Sequence, residues 1–518
     1  MRGARESRSL MAVLVRLAIW VLAISPGMGA VGCGSSSSGS QRPSTKVIAY
    51  PNGDAANTRY VHGAINAATV AKLEVAWALP LTAQSPFGSY SASPVLSDGV
   101  IYSQDLESNV QAIDLKTGKV LWAHTFNAPD QGPNGVTVAE GRVFGATPAA
   151  AFALDQRTGK QLWSVALTRN QHEGIDMAPG YHDGLVYVST VPGNANQFYR
   201  GGGVGVLWAL DAATGRKVWR FDTVPSDLWS STHGGLNSGG GLWYTPAFDA
   251  NGYMYVGVAN PAPFPGTNQF PWGSSRPGRN LYTDSIVKLN ARTGEVRWYY
   301  QLTPHDLYDW DLQDPPLLLT IGGRQVVIAA GKGGIVLALD GTTGKLMWKR
   351  AVGIHNGHGQ DSLFAMRGEL SRLKLPETVY PGLLGGVIAP MATDGRTVFV
   401  PVVNHGVTVS TQSVISESGP TSGEIVALDA STGKVAWIHK LSSAAFGATT
   451  AISDLVFATS FDGKLYAFEA ATGRTAWEAQ LPAGTNTGVA VSADTLIVPA
   501  GAAQAAGQTP EITAYRLP

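Results

Sequence analysis

An eleven-residue phrase, close to Ala-Leu-Asp-x-x-Thr-Gly-x-x-x-Trp, occurs seven times in this chain of 518 residues, and no other feature restricts the fold as much. The copies end at Trp122, Trp163, Trp219, Trp298, Trp348, Trp437 and Trp477; a degenerate copy, KLEVAW, ends at Trp77 and lacks the Thr-Gly. Units of roughly 40–50 residues repeated along a chain indicate a propeller or solenoid, one supersecondary unit stacked many times. The segments before the acid (VQAID, VLWALD, IVLALD, KLYAFE) are apolar and rich in β-formers, so they read as buried strands. Asp-x-x-Thr-Gly reads as a tight turn in which the acid accepts backbone N–H groups and Gly supplies a positive φ. The return strand then carries its Trp into the layer between neighbouring units, where packing alone accounts for its regular recurrence.

Eight such units account for nearly everything after residue 45. Charged residues make up 14% of the chain, glycine numbers 62 and the net charge is zero, as suits short strands joined by many turns. No block of like charge is present, which argues against a nucleic-acid partner. No stretch after residue 40 resembles a membrane span, so a soluble globular body is expected.

The N-terminus is a separate object. Arg2, Arg5, Arg8 and Arg16 accompany the apolar run MAVLVRLAIWVLAI, and small residues lead to Cys33, the only cysteine. A basic region, an apolar core and small residues at the cut describe an export signal over residues 1–32. Ala30-Val31-Gly32-Cys33 resembles a bacterial lipobox, with Ala30 where Leu is usual. That resemblance implies lipidation of Cys33, a Gly/Ser-rich tether over 33–46 and an extracytoplasmic protein held to a bacterial membrane. With Cys33 modified, no thiol remains for disulfides, metal ligation or nucleophilic catalysis.

Two repeat intervals are long: Asp211 to Asn290 spans 79 residues and Asp340 to Asp429 spans 89. Extra length in a repeat protein maps to loops on one face, often the binding face. HDLYDWD, just after the first insertion, places Asp306, Asp309 and Asp311 within six residues. In an extended segment Asp309 and Asp311 point the same way, a pair able to grip a hard cation or to supply a base. A solvated acidic turn is the plain alternative. The ten histidines, including His355 and His358 in GIHNGHGQD, form no zinc motif and read as loop and surface residues.

The repeats, NTRYVHGAINAATVAKLEVAW at 57–77 and RPGRNLYTDSIVKLNARTGEVRWYYQLTPHDLYDWD at 276–311 resemble the pyrroloquinoline quinone (PQQ) dependent alcohol dehydrogenases. The resemblance runs from about residue 50 to the C-terminus. It implies an all-β fold over residues 47–518, an eight-bladed β-propeller of four-stranded antiparallel blades. It further implies that Asp309 is the catalytic base and Asp311 the extra carboxylate that accompanies lanthanide rather than calcium use. Asn260 matches a metal ligand, Trp243 the indole on which the quinone stacks, and Lys332 the cation that bonds the quinone oxygens. Each has a plain alternative: a turn cap for Asn260, an axial filler for Trp243, a structural ion pair for Lys332.

The departures are as specific. The vicinal cysteine pair of many members is absent, and Asn134 stands where the family's carboxylate-binding arginine is expected. Only Asn196 or Gln197 is available where the metal-binding glutamate should lie, and Asp176 replaces a neighbouring threonine. Asp176 is therefore a candidate to restore the missing charge at the metal site. The expected function is oxidation of a small-molecule alcohol with PQQ and a calcium or lanthanide ion. Electrons would leave to a separate acceptor, since no Cys-x-x-Cys-His is present. The alternative is a non-catalytic PQQ-repeat propeller lipoprotein that binds proteins in envelope assembly.

Overall fold

The computed structural model describes residues 48–193, 200–231, 233 and 235–518. The expected leader, the tether with Cys33, and Asn196 and Gln197 lie outside the described residues.

Eight antiparallel sheets form the blades of a propeller. Blade 1 runs outward from Val95–Ser97 through Val100–Gln104 and Val110–Asp114 to Val120–His124. Blades 2 to 7 repeat this order, with innermost strands beginning at Thr137, Gly180, Ala247, Leu317, Ala392 and Thr450. Blade 8 takes three strands, Ala490–Ser492, Thr495–Ala500 and Glu511–Arg516, from the C-terminus and its outermost strand, Glu74–Pro80, from the N-terminus. Pairing of Val75 with Tyr515 and Leu79 with Ile512 closes the ring. Closure leaves few free strand edges.

The repeat phrase works as a joint between blades. In the turn, the Asp340 carboxylate accepts the Thr343 N–H and hydroxyl, each at 2.8 Å, and Asp114, Asp155 and Asp211 do the same with their threonines. The turn glycine lies flat under the tryptophan of the preceding blade. A Cβ on Gly344 would stand 2.7 Å from Trp298, and one on Gly118, Gly159 or Gly433 would stand 2.6, 2.4 or 2.4 Å from Trp77, Trp122 or Trp348. Each of these indoles also donates to a carbonyl of the neighbouring turn, Trp298 Nε1 to Gly341 O at 3.2 Å for example. Trp477 faces blade 8, which lacks the phrase, and meets Tyr515 edge-on instead. The hydrophobic core is accordingly a series of layers between blades, such as Phe144 and Trp163 of blade 2 against Tyr181, Tyr187 and Leu207 of blade 3.

A strap at residues 49–64 closes one end of the axis and touches every blade. Ala49 pairs with Val138, the Tyr50 hydroxyl donates to Tyr181 O, and Phe248 and Leu318 N–H donate to Ala55 O and Ala56 O. Thr393 and Ala451 N–H donate to Thr58 O and Arg59 O, and Ala64 N–H donates to Ala493 O. Arg59 is fully buried and lends its guanidinium to Thr449 O, Pro51 O, Asn52, Thr450 and Ser93, the last leading into blade 1. Burial lowers its pKa to about 10.

Candidate active site

A cavity of about 440 Å³ opens at the other end of the axis. Its walls come from the segments leading into innermost strands (Gln131, Trp243, Tyr244, Asp311, Leu384) and from those joining second to third strands (Lys332, Phe461, Gln504). Both lie at the same end of the blades, opposite the strap. The two long insertions do contribute there: the first supplies Trp243 and Tyr244, and the second supplies Leu384 and Ile388.

Asp309 and Asp311 converge on one ammonium group. Lys332 Nζ stands 2.7 Å from Asp309 Oδ2 and 2.6 Å from Asp311 Oδ2, and all three side chains are nearly buried. Gly331 makes this approach possible, because a Cβ there would lie 1.8 Å from Asp311 O, while Lys332 N–H donates to that same carbonyl at 2.9 Å. Asp306 does a different job from its two neighbours. Its carboxylate accepts the Tyr308 and Trp310 N–H groups at 3.2 and 3.0 Å, which folds the loop and turns Asp309 outward from it at φ +65°. Aspartate is among the few residues that adopt the left-handed region without large cost.

The electrostatics follow from burial. Burial pushes the Asp309 carboxyl up to about 8; Lys332 pulls it back and Asp311 pushes it further. Its Oδ1 has no hydrogen-bond partner among the described residues. Asp311 Oδ1 accepts the backbone N–H of Asn260 at 2.6 Å, which sets Asn260 beside the carboxylate pair. Burial also drives Asp284 and Asp314 well above the carboxylate range, and neither has a protein hydrogen-bond partner among the described residues.

Trp243 lines the cavity beside Tyr244, delivered by a chain that passes too close to Thr190 O for any Cβ on Gly241. Two anticipated residues sit elsewhere. Asn134 donates from Nδ2 to Asp105 O at 2.7 Å and faces a small void of about 30 Å³ between the cavity and the strap. Asp176 is buried against Asp130, and burial together with the neighbouring Asp130 carboxyl raises Asp176 well above the usual range. Asp130 adjoins Gln131, whose side chain lines the cavity and reaches Gly193 O. The Asp130 partnership carries no sequence signal, since the two acids lie 46 positions apart.

The histidines differ from their surface reading in two places. His305 and His405 are buried, the first between Gly278 O and Trp272 O, the second 2.7 Å from Glu417. Burial lowers the His305 pKa to about 4, and Arg276 nearby adds to the effect. Among the described residues no three His, Cys, Asp or Glu side chains converge as a metal-binding group. Among the described residues, Asp309 and Asp311 are the two carboxylates that meet at Lys332.

Comparison with known proteins adds a second line of observation. Residues 49–142 and 174–352 match the family model described as the glucose/ethanol/alcohol dehydrogenase β-propeller domain, PQQ. Residues 367–517 match a second PQQ-repeat model, described as the outer membrane protein assembly factor BamB. The quinohemoprotein alcohol dehydrogenase of Comamonas testosteroni is 30% identical over 515 residues, covering 86% of this chain and 70% of that protein. The dehydrogenase subunit of the alcohol dehydrogenase (quinone) of Gluconacetobacter polyoxogenes is 30% identical over 397 residues, 65% of this chain and 51% of its own length. This chain thus spans about half to seven-tenths of those relatives. The crystal structure of the Comamonas enzyme superposes with a TM-score of 0.76 at 26% identity, covering 90% of this chain and 80% of that one. A europium-containing methanol dehydrogenase (TM-score 0.75, 20% identity, 90% and 97% covered) shares the fold. So does BamB of Moraxella catarrhalis (TM-score 0.52, 14% identity, 86% and 97% covered).

Proposed function

Because this chain belongs to the family of PQQ-dependent quinoprotein alcohol dehydrogenases, we propose that it oxidises a small-molecule alcohol at the cavity beside Trp243 and passes the electrons to a separate acceptor. The observation that carries this reading is the convergence of Asp309 and Asp311 on Lys332, with Asp311 and Lys332 in the wall of a cavity that also holds an indole.

The side chains present fit the two groups the family implies. A cavity of about 440 Å³ with Trp243, Phe446 and Ile388 in its walls suits a flat aromatic ligand. Lys332 is the one cationic side chain among the described lining residues, and Ser91, Gln131 and Asn486 offer neutral donors. Asp309, Asp311 and Asn260 supply hard oxygen for a calcium or lanthanide ion, with Asp309 Oδ1 unclaimed by the described residues. A quinone held there would supply a two-electron acceptor, and a cation held by these oxygens would polarise it. Asp309 receives the alcohol proton on its carboxylate. It acts only when ionised, and Lys332, bonded to its Oδ2, favours that form against the burial that opposes it. Trp243 and the apolar wall exclude water from the reacting face. Asn134 and Asp176 remain members of the proposed site only indirectly, through the small void and through Gln131.

Titrating the purified protein with PQQ plus calcium, and separately plus a light lanthanide, tests the reading. Stoichiometric, metal-dependent quenching of tryptophan fluorescence is expected, lost in Asp309→Ala and weakened in Asn260→Ala. No binding with either metal would select the second reading, a non-catalytic repeat scaffold, which the BamB-type match over 367–517 favours. The leader motif further supports lipidation at Cys33. Metabolic labelling with a palmitate analogue, abolished by Cys33→Ala, is the expected result.

A further inference from the structure

The second insertion does more than roof the cavity: it grips the loop that carries Asp309 at three points. Ser362 Oγ accepts the His305 N–H at 3.1 Å, Asp361 Oδ2 accepts the Tyr308 hydroxyl at 2.6 Å, and Pro381 O accepts the Trp310 indole N–H at 3.0 Å. Asp309 lies between two side chains, Tyr308 and Trp310, that the insertion holds and that pack edge-to-face on each other at 5.2 Å. The middle grip has an ionisable partner. His358 Nδ1 stands 2.8 Å from the same Asp361 Oδ2, so it must carry a proton and donate. His358 Nε2 faces Glu377 Oε1 at 4.0 Å, and the ring lies edge-on to Tyr308.

Asp361 from its own helix, Glu377 from the strand beside it and the Tyr308 hydroxyl from the loop are the titratable groups that face this imidazole. With both ring nitrogens protonated, each carboxylate meets an N–H. Loss of the Nε2 proton turns a lone pair toward Glu377 and removes the charge from the bond to Asp361. Charge-assisted hydrogen bonds are roughly twice as strong as neutral ones. The side chain is 18% exposed, so bulk solvent can set its protonation. The hydrogen bond to Asp361 raises the His358 pKa above its ordinary value, against the opposing pull of burial.

We propose that His358, Asp361 and Tyr308 form a proton-sensitive latch through which the second insertion positions Asp309, closed while His358 is protonated and looser once it is neutral. All three are positioning residues, and the catalytic consequence rests on the reading of Asp309 as the base. The latch itself does not need that reading.

Hydrogen exchange on the full-length protein, without cofactor, tests it. The Tyr308 and Trp310 amides donate to Asp306 and report opening of the loop. Their protection factors are expected to fall about 3- to 10-fold between pH 6 and pH 8.5, while amides of blade 5 stay unchanged. Asp306 and Asp309, both raised by burial in the closed loop, also favour opening as pH rises, so the His358 variants separate the latch from them. In His358→Gln the protection should start low at pH 6 and fall less with pH than in the wild type; in His358→Arg, which keeps a cation, it should start high and likewise fall less. Wild-type protection independent of pH, or an undiminished fall in His358→Gln, would overturn the latch. Neither result bears on whether PQQ binds, so the two proposals fail separately.

Discussion

Replacing Lys332 by Met removes the ammonium that holds two buried carboxylates together. Asp309 and Asp311 then lose partners at 2.7 and 2.6 Å with no other cation among the described cavity residues to take their place. Breaking a buried ion pair from one side costs about 3–5 kcal/mol when the charge left behind stays ionised. Whether it stays ionised depends on pH. Folded Asp309 keeps its proton up to about pH 8, whereas the unfolded chain releases it near 3.9. Between those limits the folded state binds more protons than the unfolded one, so stability falls as pH rises, by up to about 1.4 kcal/mol per unit. Lys332 limits that fall by favouring the carboxylate; without it, Asp309 deprotonates only at higher pH and the fall continues. At pH 5.5 Asp309 is neutral in both proteins and the Lys332→Met variant forfeits one ion pair rather than two, so its deficit is the smaller. At pH 9 the deficit should reach about 3–5 kcal/mol. Urea unfolding followed by tryptophan fluorescence at the two pH values measures the difference. A deficit that does not grow with pH, or one below about 1 kcal/mol at pH 9, would refute the argument that Lys332 neutralises this pair.

Two further substitutions probe the scaffold. Gly344→Ala puts a methyl 2.7 Å from Trp298 at φ +70°, whereas Gly322→Ala meets open space at φ +56°. Urea midpoints should show a loss of about 2–4 kcal/mol for the first and about 1 kcal/mol for the second; equal losses would mean the Trp–Gly joint adds nothing beyond backbone strain. Arg59→Met leaves buried carbonyls of Pro51 and Thr449 without their donor, and a loss of about 3 kcal/mol or more is expected. Hydrogen exchange should rise first in the innermost strands of blades 7 and 8, where the strap would detach.

The sequence by itself determined the blades. Asp-x-x-Thr-Gly and the following Trp act through contacts within one turn or across one blade boundary, and such short-range rules are written in residue spacing. It also located the charged half of the site, because HDLYDWD carries its acids close together on a loop beside a long insertion. Tertiary structure alone decided what those acids meet. Lys332 lies 21 positions beyond Asp311, and their approach depends on the bare backbone of Gly331. Asp176 finds Asp130, Asn134 turns to Asp105, and His358 reaches Tyr308 through Asp361. The strap gathers eight blades that are hundreds of residues apart in the chain. Those partners are set by closure of the ring, which brings distant segments to one axis, and no local periodicity records which segments will meet there.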